Sequence, residues 1–154
     1  MKTAVFPGSF DPVTKGHIAV LNAVLPLFDK IYVAIGVNAD KSGCFPVEKR
    51  KLWLQQCLMP NDKVEIIDYQ CLTIDLCEQL DAHFIIRGIR NPIDFQYEKD
   101  IATANKQLCP GLETIFVATE PELSHVSSSL VRDVFRHHGN VSHFIPEGIR
   151  LEEI

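Results

Sequence analysis

The stretch PGSFDPVTKGH, residues Pro7 to His17, decides the fold of this chain. It follows the apolar run Thr3–Phe6, which predicts a short buried strand, and it precedes an apolar-striped segment, Ile18–Leu25, which predicts a helix. Open α/β sheets bind ligands at such turns, at the carboxyl ends of their strands. Because a helix start offers unpaired backbone N–H groups and a positive dipole end, we expect this turn to bind a phosphate.

The turn carries a hydroxyl at Ser9 and an imidazole at His17, but neither of the common phosphate-binding motifs. The pattern Gly-x-Gly-x-x-Gly is absent, and so is Gly-x-x-x-x-Gly-Lys followed by Ser or Thr. A Gly-His pair by itself is also compatible with an ordinary connecting loop. The functional interpretation therefore depends on matching stretches further along the chain.

Composition limits the class of protein. The 154 residues are 46% hydrophobic and 23% charged, which predicts one globular domain, 1–154. A net charge of -5 argues against a general nucleic-acid binder. No apolar run is long enough to span a membrane, and Pro7 interrupts the first one, so we expect a cytoplasmic protein without a signal peptide. The five cysteines form no Cys-x-x-Cys pair, which predicts free thiols and no metal site built on them.

Apolar strand patterns alternate with helix patterns along the chain. The five predicted strands are connected by helical segments, which implies right-handed crossovers and helices on both faces of the sheet. We therefore predict an α/β fold with a five-stranded, doubly wound, parallel sheet of Rossmann-like type. The predicted strands are Thr3–Phe6, Ile31–Val37, Val64–Ile67, His83–Ile86 and Glu113–Ala118, and the predicted helices are Ile18–Leu25, Val47–Met59, Leu72–Leu80, Pro92–Leu108 and Leu130–His138.

Cations and hydroxyls follow several of these strands. Because the carboxyl ends of parallel strands meet at one edge of a sheet, we expect these groups to converge there. An acidic protein that gathers three cations, an imidazole and several hydroxyls at this edge is suited to bind a polyphosphate. The residues concerned are Ser9, His17, Lys41, Arg87, Arg90 and the run Ser127–Ser129.

Each of these groups also has a simpler interpretation. Lys41 lies in a polar loop and could be merely solvated. Either arginine could pair with a carboxylate of the following helix, with Asp94, Glu98 and Asp100 as the candidates. The serine run could serve only as a helix cap, although one serine suffices for that purpose.

These residues lie in segments by which the chain resembles bacterial phosphopantetheine adenylyltransferases, members of the nucleotidyltransferase α/β superfamily. The resemblance extends from Phe6 to about Pro146. The Gly-His and Ser-Ser-Ser elements are common to the superfamily, whereas their combination with RGIR at 87–90 and DFQYE at 94–98 is much more specific to this family. The segments are PGSFDP at 7–12, GH at 16–17, Lys41, IRGIR at 86–90, DFQYE at 94–98, SSSLV at 127–131 and HFIP at 143–146.

The resemblance implies a nucleotidyltransferase fold and an enzyme that transfers AMP from ATP to 4′-phosphopantetheine, giving dephospho-coenzyme A and pyrophosphate without a covalent intermediate. It also implies Mg²⁺ as cofactor and assembly as a homohexamer. Two alternatives stay open. One is another nucleotidyltransferase of the superfamily, acting on nicotinate mononucleotide or glycerol phosphate. The other is a non-catalytic sensor of nucleotides or coenzyme A, which would have no need for the transition-state groups.

Family roles are carried over by the matching positions. Catalysis is implied for His17, Lys41 and Arg90. Binding of the acceptor is implied for Ser9, where the family commonly has Thr, and for Lys41, Thr73 and Arg87. The ATP site implied by the resemblance consists of Ser9, Phe10, His17, Gly88, Ile89, Arg90, Glu98, Leu123, Ser124, His125, Val126, Ser127, Ser128 and Ser129.

Overall fold

A parallel five-stranded sheet with helices on both faces forms the molecule, as predicted. The computed structural model describes residues 1–152, so residues 153 and 154 of the predicted domain lie outside the described part. The strand order is β3-β2-β1-β4-β5. The strands are β1 (Thr3–Gly8), β2 (Lys30–Gly36), β3 (Val64–Tyr69), β4 (Phe84–Ile89) and β5 (Glu113–Ala118), and the helices are α1 (Lys15–Val24), α2 (Val47–Leu58), α3 (Thr73–Gln79), α4 (Pro92–Leu108) and α5 (Ser128–Arg136).

Alternating side chains on the central strands supply two separate cores. On β1, Ala4 and Phe6 belong to the larger core, which also holds apolar residues of α1, α2 and α5. Val5 points to the opposite face, where it joins Leu76 and Cys77 of α3. Strand side chains that are buried on both faces are typical of a parallel sheet covered by helices on each side.

Two element boundaries differ from the prediction in ways that matter for the site. Strand β4 continues to Ile89 and pairs with β5, so Arg87 lies within a strand and not in the loop after it. Helix α1 begins at Lys15 and not at Ile18, because Thr14 caps it. The polar residues Lys15 to His17 therefore form the first turn of the helix.

Two further observations concern the chain as a whole. In residues 1–152, no helix combines the length and the apolar character needed to cross a membrane. All five cysteines are free thiols, and Cys77 is buried among apolar residues.

Candidate active site

A depression at the carboxyl edge of the sheet gathers most of the predicted groups. We call it the His17 depression. It lies where β1 and β4 end and where α1 and α5 begin, at the edge at which parallel α/β sheets bind their ligands. Its lining includes Pro7, Gly8, Ser9, Thr14, His17, Val20, Arg87, Gly88, Arg90, Asp94, Glu98, Thr119, Val126, Ser127 and Ser128.

A capping box at the start of α1 fixes the imidazole of His17. The backbone N–H of His17 donates to the hydroxyl of Thr14, and the backbone N–H of Thr14 donates to Nδ1 of His17 over 3.0 Å. Since a backbone N–H can only donate, Nδ1 must be the unprotonated nitrogen. The neutral ring therefore carries its proton on Nε2, and no described residue hydrogen-bonds this nitrogen.

The surroundings of His17 keep the ring neutral. Burial, followed by the charges of Arg87 and Arg90, lowers the pKa of His17 to about 4. Phe10 packs against the ring, with 4.8 Å between the ring centroids. At neutral pH, His17 is therefore an N–H donor without a charge.

Both predicted arginines are bound by carboxylates of α4. Arg87 donates from Nε and Nη2 to the two oxygens of Glu98, over 2.8 and 2.6 Å. Arg90 donates from Nε to Asp94 over 2.9 Å. Both arginines thus pair with carboxylates of the following helix, one of the alternatives that the sequence left open. Each guanidinium keeps further N–H groups that can donate to an anion in the depression.

The three serines at the start of α5 are already hydrogen-bonded. Ser127 is the N-cap and accepts from the backbone N–H of Leu130 over 3.1 Å. Ser128 donates to the carbonyl of Pro12 over 2.8 Å, and Ser129 accepts from Arg132. Only Ser128 uses its hydroxyl proton, in the bond that fastens α5 to the turn. Ser127 and Ser129 accept hydrogen bonds within α5 and can still donate to an anion. The helix start also offers its backbone N–H groups to a ligand.

Three arginines from three different elements donate hydrogen bonds to backbone carbonyls of the turn. Arg87 of β4 donates to the carbonyl of Pro7 over 2.7 Å. The carbonyls of Ser9 and Asp11 each accept a 2.8 Å bond, from Arg50 of α2 and Arg132 of α5. Charge-assisted bonds at alternate carbonyls hold the backbone of the turn in one conformation.

Gly88 stands where β4 passes α1. A Cβ at this position would lie 2.9 Å from Cγ2 of Val20, closer than real Cβ contacts allow. Glycine therefore permits the close approach of β4 to α1 that brings Arg87 and Arg90 to His17.

A second depression adjoins the first, and we call it the Tyr69 depression. The pair Arg87–Glu98 lines both and stands between them. Thr73 lines the second depression, where its hydroxyl is 2.9 Å from that of Tyr69. The lining is completed by Pro7, Gly8, Ser9, Gly36, Ile85, Ile101, Ala102, Asn105 and Thr114.

Lys41 lies apart from both depressions. It belongs to the loop between β2 and α2, of which residues 38–43 are exposed. This loop has a shallow depression of its own, lined by residues that include Lys41, Ser42 and Arg50.

The structure thus brings together part of the predicted site. Eight of the residues predicted for the ATP site, together with Arg87, line the His17 depression. These are Ser9, His17, Gly88, Arg90, Glu98, Val126, Ser127 and Ser128. The predicted residues that do not line it are Phe10, Lys41, Thr73, Ile89, Leu123, Ser124, His125 and Ser129, and the side chain of Phe10 is buried in the core.

Sequence reasoning missed the residues that hold the site in shape. Thr14, Arg50 and Arg132 received no role, although each bonds to the turn or to His17. Only Thr14 had a visible signal, because a Thr three residues before a polar residue at a helix start matches the spacing of a capping box. The two arginines contact the turn from 41 and 121 residues away, a distance that local patterns cannot bridge.

Comparison with known proteins agrees with this geometry. The cytidylyltransferase-like family matches residues 5–134 of the chain. A crystal structure of a protein from Vibrio parahaemolyticus, assigned to nicotinate-nucleotide adenylyltransferase, superposes with a TM-score of 0.67 and covers 94% of both chains, at 18% identity. The fold and the depression at its carboxyl edge therefore define a protein of the cytidylyltransferase-like class.

Full-length relatives narrow this assignment. The chain is 46% identical to the phosphopantetheine adenylyltransferase of Flavobacterium johnsoniae, covering 99% of this chain and 100% of that protein. It is 48% identical to the same enzyme of Flavobacterium psychrophilum, again over 99% and 100%. For Bacteroides thetaiotaomicron the identity is 44%, over 98% and 99%. The chain belongs to the phosphopantetheine adenylyltransferase family.

Proposed function

We propose that this protein transfers AMP from ATP to 4′-phosphopantetheine, releasing pyrophosphate and giving dephospho-coenzyme A, a step of coenzyme A biosynthesis. The observation that carries the proposal is the neutral His17 with its free Nε2–H, beside two arginines at the edge of a nucleotidyltransferase sheet. Family membership at 46–48% identity over the full length supports the same substrates.

The acceptor is a phosphate dianion, so it can attack the α-phosphorus of ATP without a covalent enzyme nucleophile. Catalysis then consists of positioning and of stabilising the charge that develops on the α-phosphoryl oxygens and the leaving pyrophosphate. The Nε2–H of His17 donates to an α-phosphoryl oxygen, and the N–H groups at the start of α5 bind the polyphosphate. A donor that is fixed before the reaction needs no reorganisation during it.

The acceptor and the nucleotide use neighbouring depressions in this proposal. ATP occupies the His17 depression, and the pantetheine arm lies in the Tyr69 depression beside Thr73. The pair Arg87–Glu98 stands between the two, so Arg87 can contact the acceptor phosphate at the junction. Lys41 reaches the same phosphate from the loop between β2 and α2. Arg90 contacts the ATP phosphates.

We further propose that Mg²⁺ enters with the nucleotide. The two carboxylates that line the His17 depression, Asp94 and Glu98, are each bound by an arginine. The described residues hold no group of three or more His, Cys, Asp or Glu side chains arranged to bind a metal. These residues fit a Mg²⁺ held mainly by nucleotide oxygens and water. When bound, the ion supplies neutralisation of phosphate charge.

Assembly as a homohexamer in the cytoplasm is also a proposal. Helix α4 leaves Ile93, Tyr97, Ile101 and Leu108 between 38% and 82% exposed, on one side of the helix. A stripe of apolar residues on a helix supports contact with another copy of the chain. Light scattering tests the assembly, and a monomer at working concentration would refute it. Fractionation of cells tests the location.

The activity is tested by pyrophosphate release from ATP and Mg²⁺, with and without 4′-phosphopantetheine. We expect release that requires this acceptor and that is lost in His17→Ala. Release with another phosphate-bearing acceptor alone would keep the mechanism and change the substrate. Tight binding of ATP or coenzyme A without release under any condition would support the sensor instead.

A further inference from the structure

A buried ion pair outside both depressions connects the turn to the loop that carries Lys41. Asp11 and Arg50 are 5% and 6% exposed. The carboxylate of Asp11 accepts from the backbone N–H groups of Cys44 and Phe45, over 2.7 and 2.9 Å. Asp11 belongs to the turn after β1, and Cys44 and Phe45 end the loop after β2, so one side chain joins the two loops.

Arg50 makes the same connection from α2. Its Nε donates to the carbonyl of Phe45 over 3.0 Å, and its Nη1 donates to the carbonyl of Ser9 over 2.8 Å. The distance between its Nε and the carboxylate of Asp11 is 4.0 Å. Together the two side chains fix the backbone of residues 44–45 relative to the backbone of residues 9–11.

Lys41 is carried on the exposed part of this loop. Residues 38–43 are exposed, whereas Phe45 is buried and packs against Trp53. The bonds at 44–45 are therefore the anchor nearest to Lys41 on its carboxyl side. Because Lys41 precedes this anchor by only three residues, the anchor limits how far Lys41 can lie from the turn.

Stability alone is a weak reason to bury this pair. Removing two charges from water is costly, and replacement of a buried ion pair by apolar residues is often neutral or stabilising. Here every bond of the pair goes to backbone of the two loops, so the pair specifies the distance between the loops.

We propose that Asp11 and Arg50 are positioning residues for the acceptor phosphate, which act by holding Lys41 at a fixed distance from Ser9. The inference rests on the proposed function, in which Lys41 binds that phosphate. Arg50 also bonds the carbonyl of Ser9, which lines the His17 depression. The turn is held independently by Arg87 at Pro7 and by Arg132 at Asp11, so we expect nucleotide binding to change less than acceptor binding. The two substrates should respond differently when the pair is weakened.

A double-mutant cycle tests the proposal. Arg50→Lys keeps the charge, but one ammonium group cannot replace the fork that reaches both Phe45 and Ser9. We expect about a tenfold rise in KM for 4′-phosphopantetheine and at most about a twofold change in KM for ATP. In a Lys41→Ala background, Arg50→Lys should add less than about a twofold effect, since the group it positions is gone.

The control is Arg136→Lys, an exposed arginine in the last turn of α5 that takes no part in either loop. It should leave both KM values unchanged. A purely structural role for Arg50 predicts that both KM values rise together, or that its effect multiplies with that of Lys41→Ala. Either result overturns the proposal.

A milder variant covers the case in which Arg50→Lys does not fold. A Cβ on Gly43 would lie 3.0 Å from Oδ2 of Asp11 and 3.1 Å from Nη2 of Arg50. Gly43→Ala thus presses on the pair without removing a charge, and the same cycle is run with it. An unchanged acceptor KM in Lys41→Ala alone refutes the role of Lys41 in the proposed function. If Lys41→Ala raises the acceptor KM, and Arg50→Lys or Gly43→Ala raises it by a further independent factor in that background, Lys41 keeps its role. The proposal that the pair positions Lys41 is then refuted.

Discussion

The turn after β1 and the loop after β2 lie side by side at the same edge of the sheet, yet they are built differently. Between Phe10 and Thr14 every residue of the turn is buried, and three arginines hold its carbonyls. Residues 38–43 of the loop are exposed, and the loop is anchored by its end at Cys44 and Phe45. In the proposed function, the turn thus fixes its polar groups along its whole length, whereas Lys41 stays solvated and is positioned only through the anchored end of its loop.

The largest effect on activity should come from removing the imidazole N–H donor of His17, at the end of the rigid turn. His17→Ala should lower kcat by about 10²–10³-fold with little change in KM for ATP, because the lost bond is made mainly in the transition state. His17→Gln, whose amide N–H can reach the position of Nε2–H, should retain more activity. Steady-state kinetics of both variants checks this. Equal losses in kcat and in ATP affinity would contradict a transition-state role.

The second expected effect is a pH dependence of the free energy of unfolding, caused by the imidazole of His17 at the end of the turn. The pKa of His17 is about 4 in the folded chain, against about 6.5 when unfolded. Between these values the unfolded chain binds the extra proton, so the free energy of unfolding falls as the pH drops from about 6.5 towards 4. The full free energy of unfolding is present above about pH 6.5, and the loss that is complete below about pH 4 amounts to roughly 3 kcal/mol.

Urea unfolding at about pH 7 and about pH 5 measures this effect, with His17→Gln as reference because it lacks the titrating ring. The loss on acidification should be larger in the wild type than in this variant. Parallel pH profiles of the two proteins would show that the imidazole titrates alike in the folded and unfolded chains.

A smaller loss is expected from the cap that holds His17. Thr14 is 2% exposed and its hydroxyl accepts from the backbone N–H of His17. Thr14→Ala should lower the free energy of unfolding by about 1 kcal/mol, as is usual for loss of an N-cap, whereas Thr14→Ser should cost less. Denaturant unfolding compares the three proteins. If Ala and Ser were equally tolerated, the hydroxyl would have no part in fixing α1.

The smallest effect on stability should come from the exposed loop. Lys41→Ala should change the free energy of unfolding by less than about 0.5 kcal/mol, because the side chain is solvated and has no ion-pair partner among the described residues. Binding of 4′-phosphopantetheine should nevertheless weaken, and calorimetry measures this separately. A destabilisation above about 1 kcal/mol would mean that the two loops do not differ in the way described.

How far the sequence could predict the site depended on the range of the contacts. The apolar strand patterns and their helical spacing predicted the sheet, because a parallel strand buried on both faces needs a continuous apolar run. The parallel topology in turn predicted that His17 and Arg90 lie together at the carboxyl edge of the sheet. The partners of Arg87 and Arg90 were left open, since sequence spacing allowed Asp94, Glu98 and Asp100 alike. The hydrogen bond of Ser128 could not be predicted, because the carbonyl that it binds lies 116 residues away.

The sequence by itself determined the α/β class, the edge of the sheet at which the polar groups gather, and the identity of most of those groups, because these follow from periodicity and from short motifs. Only the tertiary structure decided which nitrogen of His17 carries the proton and that Arg87 pairs with Glu98. It also decided that Arg50 and Arg132 donate hydrogen bonds to the carbonyls of the turn. Those features depend on burial and on contacts between segments distant in sequence. Neither can be read from the local order of residues.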